Sequence, residues 1–452
     1  MVDSYQRDKD DLFRYKIGET FFKNPIVLFI VRSAALALFV YALVYAFIYP
    51  DPSDNHFTTA LFWSFFWPFF MFLSLPTLGA YFCSICPLSF VGKKLKHVKK
   101  RPLAMPRFLR NPYISLGVVL VVYWGLFFAF PGVFSQPIAV AAFYTFFALM
   151  AFGFFYFFKD MSYCAYICPV SSIRNAFSRI SFMWLGTYQD ACSSCKTFEC
   201  AKACEFGQSP FNFDRNSSMA DCILCMDCAQ ACEAVSFKIN KPGFSLLSPI
   251  KRARAVDVWS YLLLFAFMTL TLKVITLYNS SQIAPMLPWV QLSHALSLAF
   301  PDSAVDFEAV TTLLFSVGVT LMTVFAAFFA ASKILDTAFW TLFAEVGYAY
   351  APLPLIASFG YAATSFFTRY FHSVVNGFIE AFALPFSFIE PLARSDAPWL
   401  HYFVVFDYIA VIWTVWLIWH RVSMAAAGAR FPARVFSALS LAVLPLGYML
   451  IC

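Results

Sequence analysis

Eight of the thirteen cysteines lie in one polar window, in two runs: Cys192-x2-Cys195-x4-Cys200-x3-Cys204 and Cys222-x2-Cys225-x2-Cys228-x3-Cys232. The second run has the spacing with which cysteines grip [4Fe-4S] clusters, and the first differs only in a longer middle gap. Such a cluster needs four thiolates converging on its irons. Closely spaced cysteines on a tight loop supply three, and a distant one supplies the fourth. Zinc knuckles instead show two C-x2-C pairs set apart by a longer spacer, whereas two complete quartets stand here. The expectation is therefore two [4Fe-4S] clusters, with zinc as the alternative.

Where two clusters share one small domain, the fourth cysteine of each run crosses to the other cluster. That rule assigns Cys192, Cys195, Cys200 and Cys232 to one cluster, and Cys222, Cys225, Cys228 and Cys204 to the other. Two further cysteine pairs lie at the ends of apolar runs, in Tyr81-Phe82-Cys83-Ser84-Ile85-Cys86-Pro87 and Tyr163-Cys164-Ala165-Tyr166-Ile167-Cys168-Pro169. A cysteine on an apolar helix is ordinarily a small buried hydrophobe. Duplication and the following proline, which ends regular helix hydrogen bonding, favour a redox or metal role for Cys83, Cys86, Cys164 and Cys168. They would form either one shared four-cysteine site or paired dithiols. Cys452, at the last position, is read as inert.

The elements that position these residues are mostly transmembrane. The chain has 452 residues, is 61% hydrophobic and 13% charged, and has a mean hydropathy of +0.70, outside the range of soluble domains. Apolar runs long enough to span a bilayer are expected as helices, since a helix satisfies its own backbone in lipid. They are expected at about 26–49, 59–82, 113–130 and 138–158, then at 259–278, 311–331, 337–366, 399–420 and 435–451. The stretch 373–390 is ambiguous, which gives nine or ten crossings. The expected fold is an all-α polytopic membrane protein with an inserted cytoplasmic 2[4Fe-4S] ferredoxin domain of bacterial type. Its parts are a cytoplasmic N-terminal segment (1–25), a four-helix membrane domain with a duplicated hairpin (26–170), the ferredoxin-like insert (171–256) and a C-terminal membrane domain (257–452).

Orientation follows from the loops. The loop 92–110 carries Lys93, Lys94, Lys96, Lys99, Lys100, Arg101, Arg107 and Arg110 and no acid, whereas 50–57 and 131–137 have no Lys or Arg. The basic loop, and with it the insert two crossings later, is expected to face the cytoplasm. That compartment also keeps thiols reduced and available to iron. The net charge of +7 is met by anionic lipid, with no nucleic-acid partner. The first apolar run has no small-residue cleavage site after it and reads as an uncleaved anchor.

Charges within apolar runs usually face a protein interior. Arg32 and Lys273 are expected to snorkel to an interface, and Glu345 and Asp407 are candidate proton or quinone-site groups. There is no C-x2-C-H for c-type haem, and the six histidines are better read as interfacial than as paired haem ligands.

Over residues 26–239, four helices ending in C-x2-C-P and C-x3-C-P and followed by two cluster runs resemble the membrane polyferredoxins of nitrate and nitrous-oxide respiration (NapH-like and NosR-like). The accessory proteins of the CcoG type are related. The resemblance implies passage of electrons between a quinol or cytoplasmic donor and a membrane or periplasmic redox partner, or, for the CcoG type, cupric reduction. It also matches the four membrane cysteines and the eight insert cysteines to the family's motifs. Glu205 and Glu233 depart from it, standing where bacterial ferredoxins usually have proline. No stretch for a covalent flavin is present, and the second hydrophobic half is not inherited from the short NapH-like proteins.

The leading expectation is a bacterial inner-membrane electron-transfer protein. A cupric reductase or metalloenzyme assembly factor is the second reading, and a redox-sensing transporter-like scaffold the third. No general acid, nucleophile or nucleotide loop of recognisable spacing points to bond-making catalysis.

Overall fold

Continuous apolar sequence becomes helix, and helix dominates the computed structural model, which describes residues 7–98, 102–193, 195–213, 221–241 and 243–451. Lys99, Lys100, Arg101 and Cys452 lie outside the described residues. Among the described residues, nine helices are long and apolar enough to cross a membrane. They are Pro25–Ile48, Phe57–Leu78, Pro112–Ala129, Pro137–Phe157, Ala255–Asn279, Phe307–Ile334, Phe339–Ala381, Pro398–Ala425 and Phe431–Ile451. The chain is an all-α polytopic membrane protein.

The stretch left ambiguous by the sequence divides in two. Phe371–Ala381 is helical and completes the run from Phe339, whereas 384–397 leaves the helix. A straight helix of 43 residues would measure roughly 65 Å, twice the hydrocarbon core. The run is broken instead, by a tighter turn at Gly347–Tyr350 and by Pro352 and Pro354 just beyond it.

The chain packs as two compact units, each drawn from three segments. The first comprises Met1–Ile48, Phe69–Ser115 and Ala141–Arg252, and it holds all twelve of the described cysteines. Its one sheet among the described residues is an antiparallel pair, β1 (Met183–Thr187) with β2 (Val235–Ile239), in register from Met183 opposite Ile239 to Thr187 opposite Val235. Both cysteine runs lie in the loop that this pair closes.

The N-terminal segment is tied to the same ribbon through Asp11, a fully buried carboxylate. Asp11 accepts from the backbone N–H of Phe13 (3.0 Å) and Phe237 (3.1 Å), from the Tyr188 hydroxyl (2.9 Å) and from Arg7 (2.9 Å). A buried carboxylate is tolerated only when its lone pairs are used in this way. Phe13, Leu185, Phe237, Leu224 and Met226 form the apolar core behind it, together with Cys200 and Cys228.

The second unit comprises Tyr49–Pro68, Leu116–Val140 and Ala253–Cys452. Ala255–Asn279 is one of its two most enclosed helices, with 72% of its apolar window buried, and its polar groups are accordingly paired. Asp257 accepts from the Tyr348 hydroxyl (2.6 Å) and pairs with Arg254 (3.1 Å). Lys273, expected to snorkel, instead lies 2.7 Å from the buried carboxylate of Asp407, which also accepts from the Tyr448 hydroxyl at 2.7 Å. An anion on a neighbouring helix offers the ammonium a shorter route to compensation than the interface does.

Removing one partner of such a pair strands the other. Asp407→Asn should therefore destabilise the protein by about 3–5 kcal/mol, while the double change Lys273→Met with Asp407→Leu should recover most of the loss. Thermal unfolding of the detergent-solubilised protein checks this, and equal midpoints for the single and double variants would refute it.

Candidate functional site

In the first unit the insert cysteines are carried on tight loops whose backbone turns inward. Phe198, Leu224 and Met226 adopt left-handed conformations (φ 50°, 53° and 65°), each between consecutive cysteines of its run. For non-glycine residues this conformation is strained, and it is held here by the surrounding structure. Its effect is to aim N–H groups at sulfur. Leu224 donates to Cys222 Sγ at 3.4 Å and Gln208 to Cys204 Sγ at 3.3 Å. Further backbone N–H groups reach Cys195 (from Phe198 and Thr197), Cys200 (from Ala201), Cys225 (from Asp227) and Cys232 (from Ala234).

The eight sulfurs fall into two sets. Cys200 is in electrostatic reach of Cys232, Cys192 and Cys195, and Cys232 of Cys192 and Cys195. Cys228 is in reach of Cys222, Cys225 and Cys204. These last four also line one enclosed cavity, with Ile223 and Leu224. In each set, three cysteines come from one run and the fourth from the other.

The membrane-end pairs form a third set. Cys164 interacts with Cys168, Cys86 and Cys83, and Cys168 with Cys83 and Cys86. The two motifs have the same backbone at their second cysteine: φ −58°, ψ 127° at Cys86 and φ −51°, ψ 128° at Cys168. Cys86 caps the short helix Pro87–Leu95, and Cys168 lies two residues before Val170, which caps Ser171–Ser178; N–H groups at these helix starts point at the sulfurs, from Ser89 and Leu88 at Cys86 and from Val170 at Cys168.

The unequal spacing has a local cause. Cys83 lies on an α-turn, Tyr81–Ile85, whereas Cys164 lies on the wider Tyr163–Ile167 turn, closed by a bond from Cys168 N–H to the Tyr163 carbonyl at 2.9 Å. A wider turn needs one more residue to return a side chain to the same face. C-x2-C and C-x3-C are therefore equivalent presentations of two thiols.

Glycine permits the approach of the two hairpins. Gly79, with φ +60°, makes the turn before the first motif, where a Cβ would meet Ser181 Oγ at 2.8 Å. On the Pro87–Leu95 helix, a Cβ at Gly92 would fall 2.4 Å from the Phe155 ring of the second hairpin. Ser115 fixes the second motif, donating to the Cys168 carbonyl (2.7 Å) and accepting from Ser172 N–H (3.0 Å).

Several residues whose partners the sequence did not show hold these sets in place. Arg32 does not snorkel. It is buried, donating to the carbonyls of Ser84 and Cys225 at 2.8 Å each, and so joins a membrane motif to a loop of the second cysteine run. Lys93 pairs with Asp227, between Cys225 and Cys228. The glutamates standing in place of proline are docking points: Glu205 pairs with Lys96, and Glu233 with Lys23 at 2.6 Å. The only sequence signal for this was the departure from proline. The Lys23 ammonium, followed by Arg7, holds the Glu233 carboxyl below its ordinary range.

Burial pushes the Cys225 thiol up to about 11, against the pull of Lys93, and raises Cys222 and Cys228 as well. Cys195, at the rim, is lowered, chiefly by Phe198 N–H. Desolvated thiols keep their protons at neutral pH unless a cation replaces them, as a metal does. The twelve described cysteines are all free of disulfides. Among the described residues, no three His, Cys, Asp or Glu side chains converge on one point closely enough to hold a single metal ion. A lone tetrahedral ion would hold four sulfurs about 2.3 Å from itself, whereas a cuboidal cluster puts each on a separate iron and spreads them wider.

No family model matches the chain, and no solved structure matches it. An uncharacterized protein of Methanocaldococcus jannaschii is 29% identical over 181 residues, covering 35% of this chain and 72% of its own length. A second uncharacterized protein of that archaeon is 28% identical over 174 residues, covering 35% of this chain and 64% of its own. The matches thus span about two thirds of these relatives.

If Lys96 and Glu205 dock the insert, Lys96→Glu should raise the rate of limited proteolysis between residues 188 and 241 roughly fivefold, the equivalent of about 1 kcal/mol. Adding Glu205→Lys should restore the original rate. A double variant cleaved faster than the single one would show that the contact plays no such part.

Proposed function

We propose that this chain is an iron-sulfur electron-transfer protein of the plasma membrane, carrying electrons between a cytoplasmic or quinol donor and a membrane or periplasmic acceptor. The observation that supports this most is the gathering of eight insert thiols into two sets of four, each completed by a cysteine from the other run. Cys192, Cys195, Cys200 and Cys232 would hold one [4Fe-4S] cluster, and Cys204, Cys222, Cys225 and Cys228 the other. When bound, such a cluster takes up and releases one electron at a potential set by its net charge, sulfur hydrogen bonds and solvent exposure.

The chain's own residues govern those terms. The N–H groups of Phe198, Leu224 and Asp227 stabilise negative charge on Cys195, Cys222 and Cys225. Leu185, Phe213, Leu224 and Met226 keep water from the second set. Lys93 compensates Cys225 electrostatically and is itself fixed by Asp227. In this reading the insert is the cytoplasmic ferredoxin domain, on the same side as the basic loop that supplies Lys93 and Lys96.

A second reading, a cupric reductase or metalloenzyme assembly factor, would use the third set as paired dithiols of the membrane motifs. Cys83→Ser with Cys164→Ser would then abolish cupric reduction and leave visible cluster absorbance intact.

For the leading reading, anaerobically purified protein should contain at least about eight irons and as many acid-labile sulfides per chain. It should also show a low-temperature paramagnetic signal after dithionite. Cys222→Ser should lose roughly four of those irons while still inserting into the membrane. Zinc in place of iron and sulfide, with no such signal, would overturn the reading.

A further inference from the structure

Arg174 lies on the Ser171–Ser178 helix, six residues beyond Cys168, and is 2% exposed, among the most deeply buried large side chains of the protein. Its Nη2 donates to Asn175 Oδ1 (2.6 Å) and Ser171 Oγ (3.4 Å), and both acceptors are neutral. Its Nε has no hydrogen-bond partner, and no carboxylate lies within ion-pair distance among the described residues. Arginine cannot shed its proton in a protein, so this is a permanent buried cation without an anion.

What surrounds it is sulfur. Arg174 lies within electrostatic reach of Cys83, Cys164 and Cys168, and of Cys222 in the insert. An apolar shell that includes Phe155, Tyr163 and Ile167 closes around the second hairpin's pair. As neutral dithiols or disulfides, these cysteines would leave the guanidinium uncompensated. As ligands they would not, because four thiolates outweigh the positive charge of an iron-sulfur core. The sulfurs of Cys86 and Cys168 also receive helix N-terminal N–H groups, as anionic ligands would.

We infer that Cys83, Cys86, Cys164 and Cys168 hold a third iron-sulfur centre, and that Arg174 is its counter-cation and positioning residue, shared with the centre that Cys222 serves. The inference rests on the iron-sulfur reading of the insert and adds to it a site at the membrane end of the two hairpins. No electron-transfer step is assigned to Arg174. Its part is to hold positive charge where the reduced, more negative state of a centre needs it.

The experiment measures iron, sulfide and low-temperature paramagnetic signals on full-length, anaerobically purified protein in three forms: wild type, the variant with all four membrane cysteines changed to serine, and Arg174→Gln. Wild type is expected to hold iron beyond the about eight that two four-iron clusters need. The fourfold variant should fall to that level and keep the two insert signals. Arg174→Gln should lose the third signal or shift it to lower potential in a redox titration, and Arg174→Lys should bring it back towards the wild-type value. Should Arg174→Gln fail to fold, wild type grown with 15N-arginine provides a second readout: the third signal should carry a coupling to guanidinium nitrogen.

Equal iron in wild type and the fourfold variant, at the two-cluster level, would overturn this inference alone. An unshifted potential in Arg174→Gln, or no 15N coupling, would overturn the role of Arg174. Absence of iron from wild type would instead sink the reading of the insert.

Discussion

Charge and sulfur removed from water must find compensation within the protein, and the first unit is organised around that need. Arg32, drawn into the protein from the first apolar helix, has its guanidinium on the carbonyls of Ser84 and Cys225, positions 52 and 193 residues away in sequence. Lys23, Lys93 and Lys96 meet acids that sit beside or between the insert cysteines. These contacts are individually modest at a partly exposed surface. Collectively they fix where the cysteine loops stand relative to the membrane motifs, because each joins one particular loop to one particular basic residue.

The apolar helices were legible in the sequence because lipid leaves the backbone no alternative to helix. The break at Gly347–Tyr350 was less so: a hydropathy profile registers apolar content and not the prolines that divide a run. Insert thiols of the two runs lie in electrostatic reach of one another, since the loops are short and turn towards each other. Partnerships between remote segments were not legible. Arg32 and Lys273 were expected at an interface because position along a helix indicates depth, whereas their compensation comes from carbonyls and a carboxylate that only the fold brings near.

The paired membrane motifs show how a difference in spacing can conceal sameness of shape. Read as strings, C-x2-C-P and C-x3-C-P differ by a residue, which a wider turn at Tyr163–Ile167 absorbs. The second cysteine of each then has the same backbone conformation and is followed by a proline and a short helix. That backbone is alike in the two motifs, while the turn before it differs.

The hold of Asp11 on the β1–β2 ribbon sets an order in the making of the protein. Its bond to Phe237 joins residues 226 positions apart, so at ordinary elongation rates the carboxylate waits roughly 10–45 seconds for that partner to be synthesised. By then the first four apolar helices have left the ribosome. The N-terminal strap is accordingly a late closure, completed only when β2 has emerged and paired, and a nascent chain arrested before residue 235 would carry every membrane segment of the first unit with its cysteine-bearing loop still unfastened.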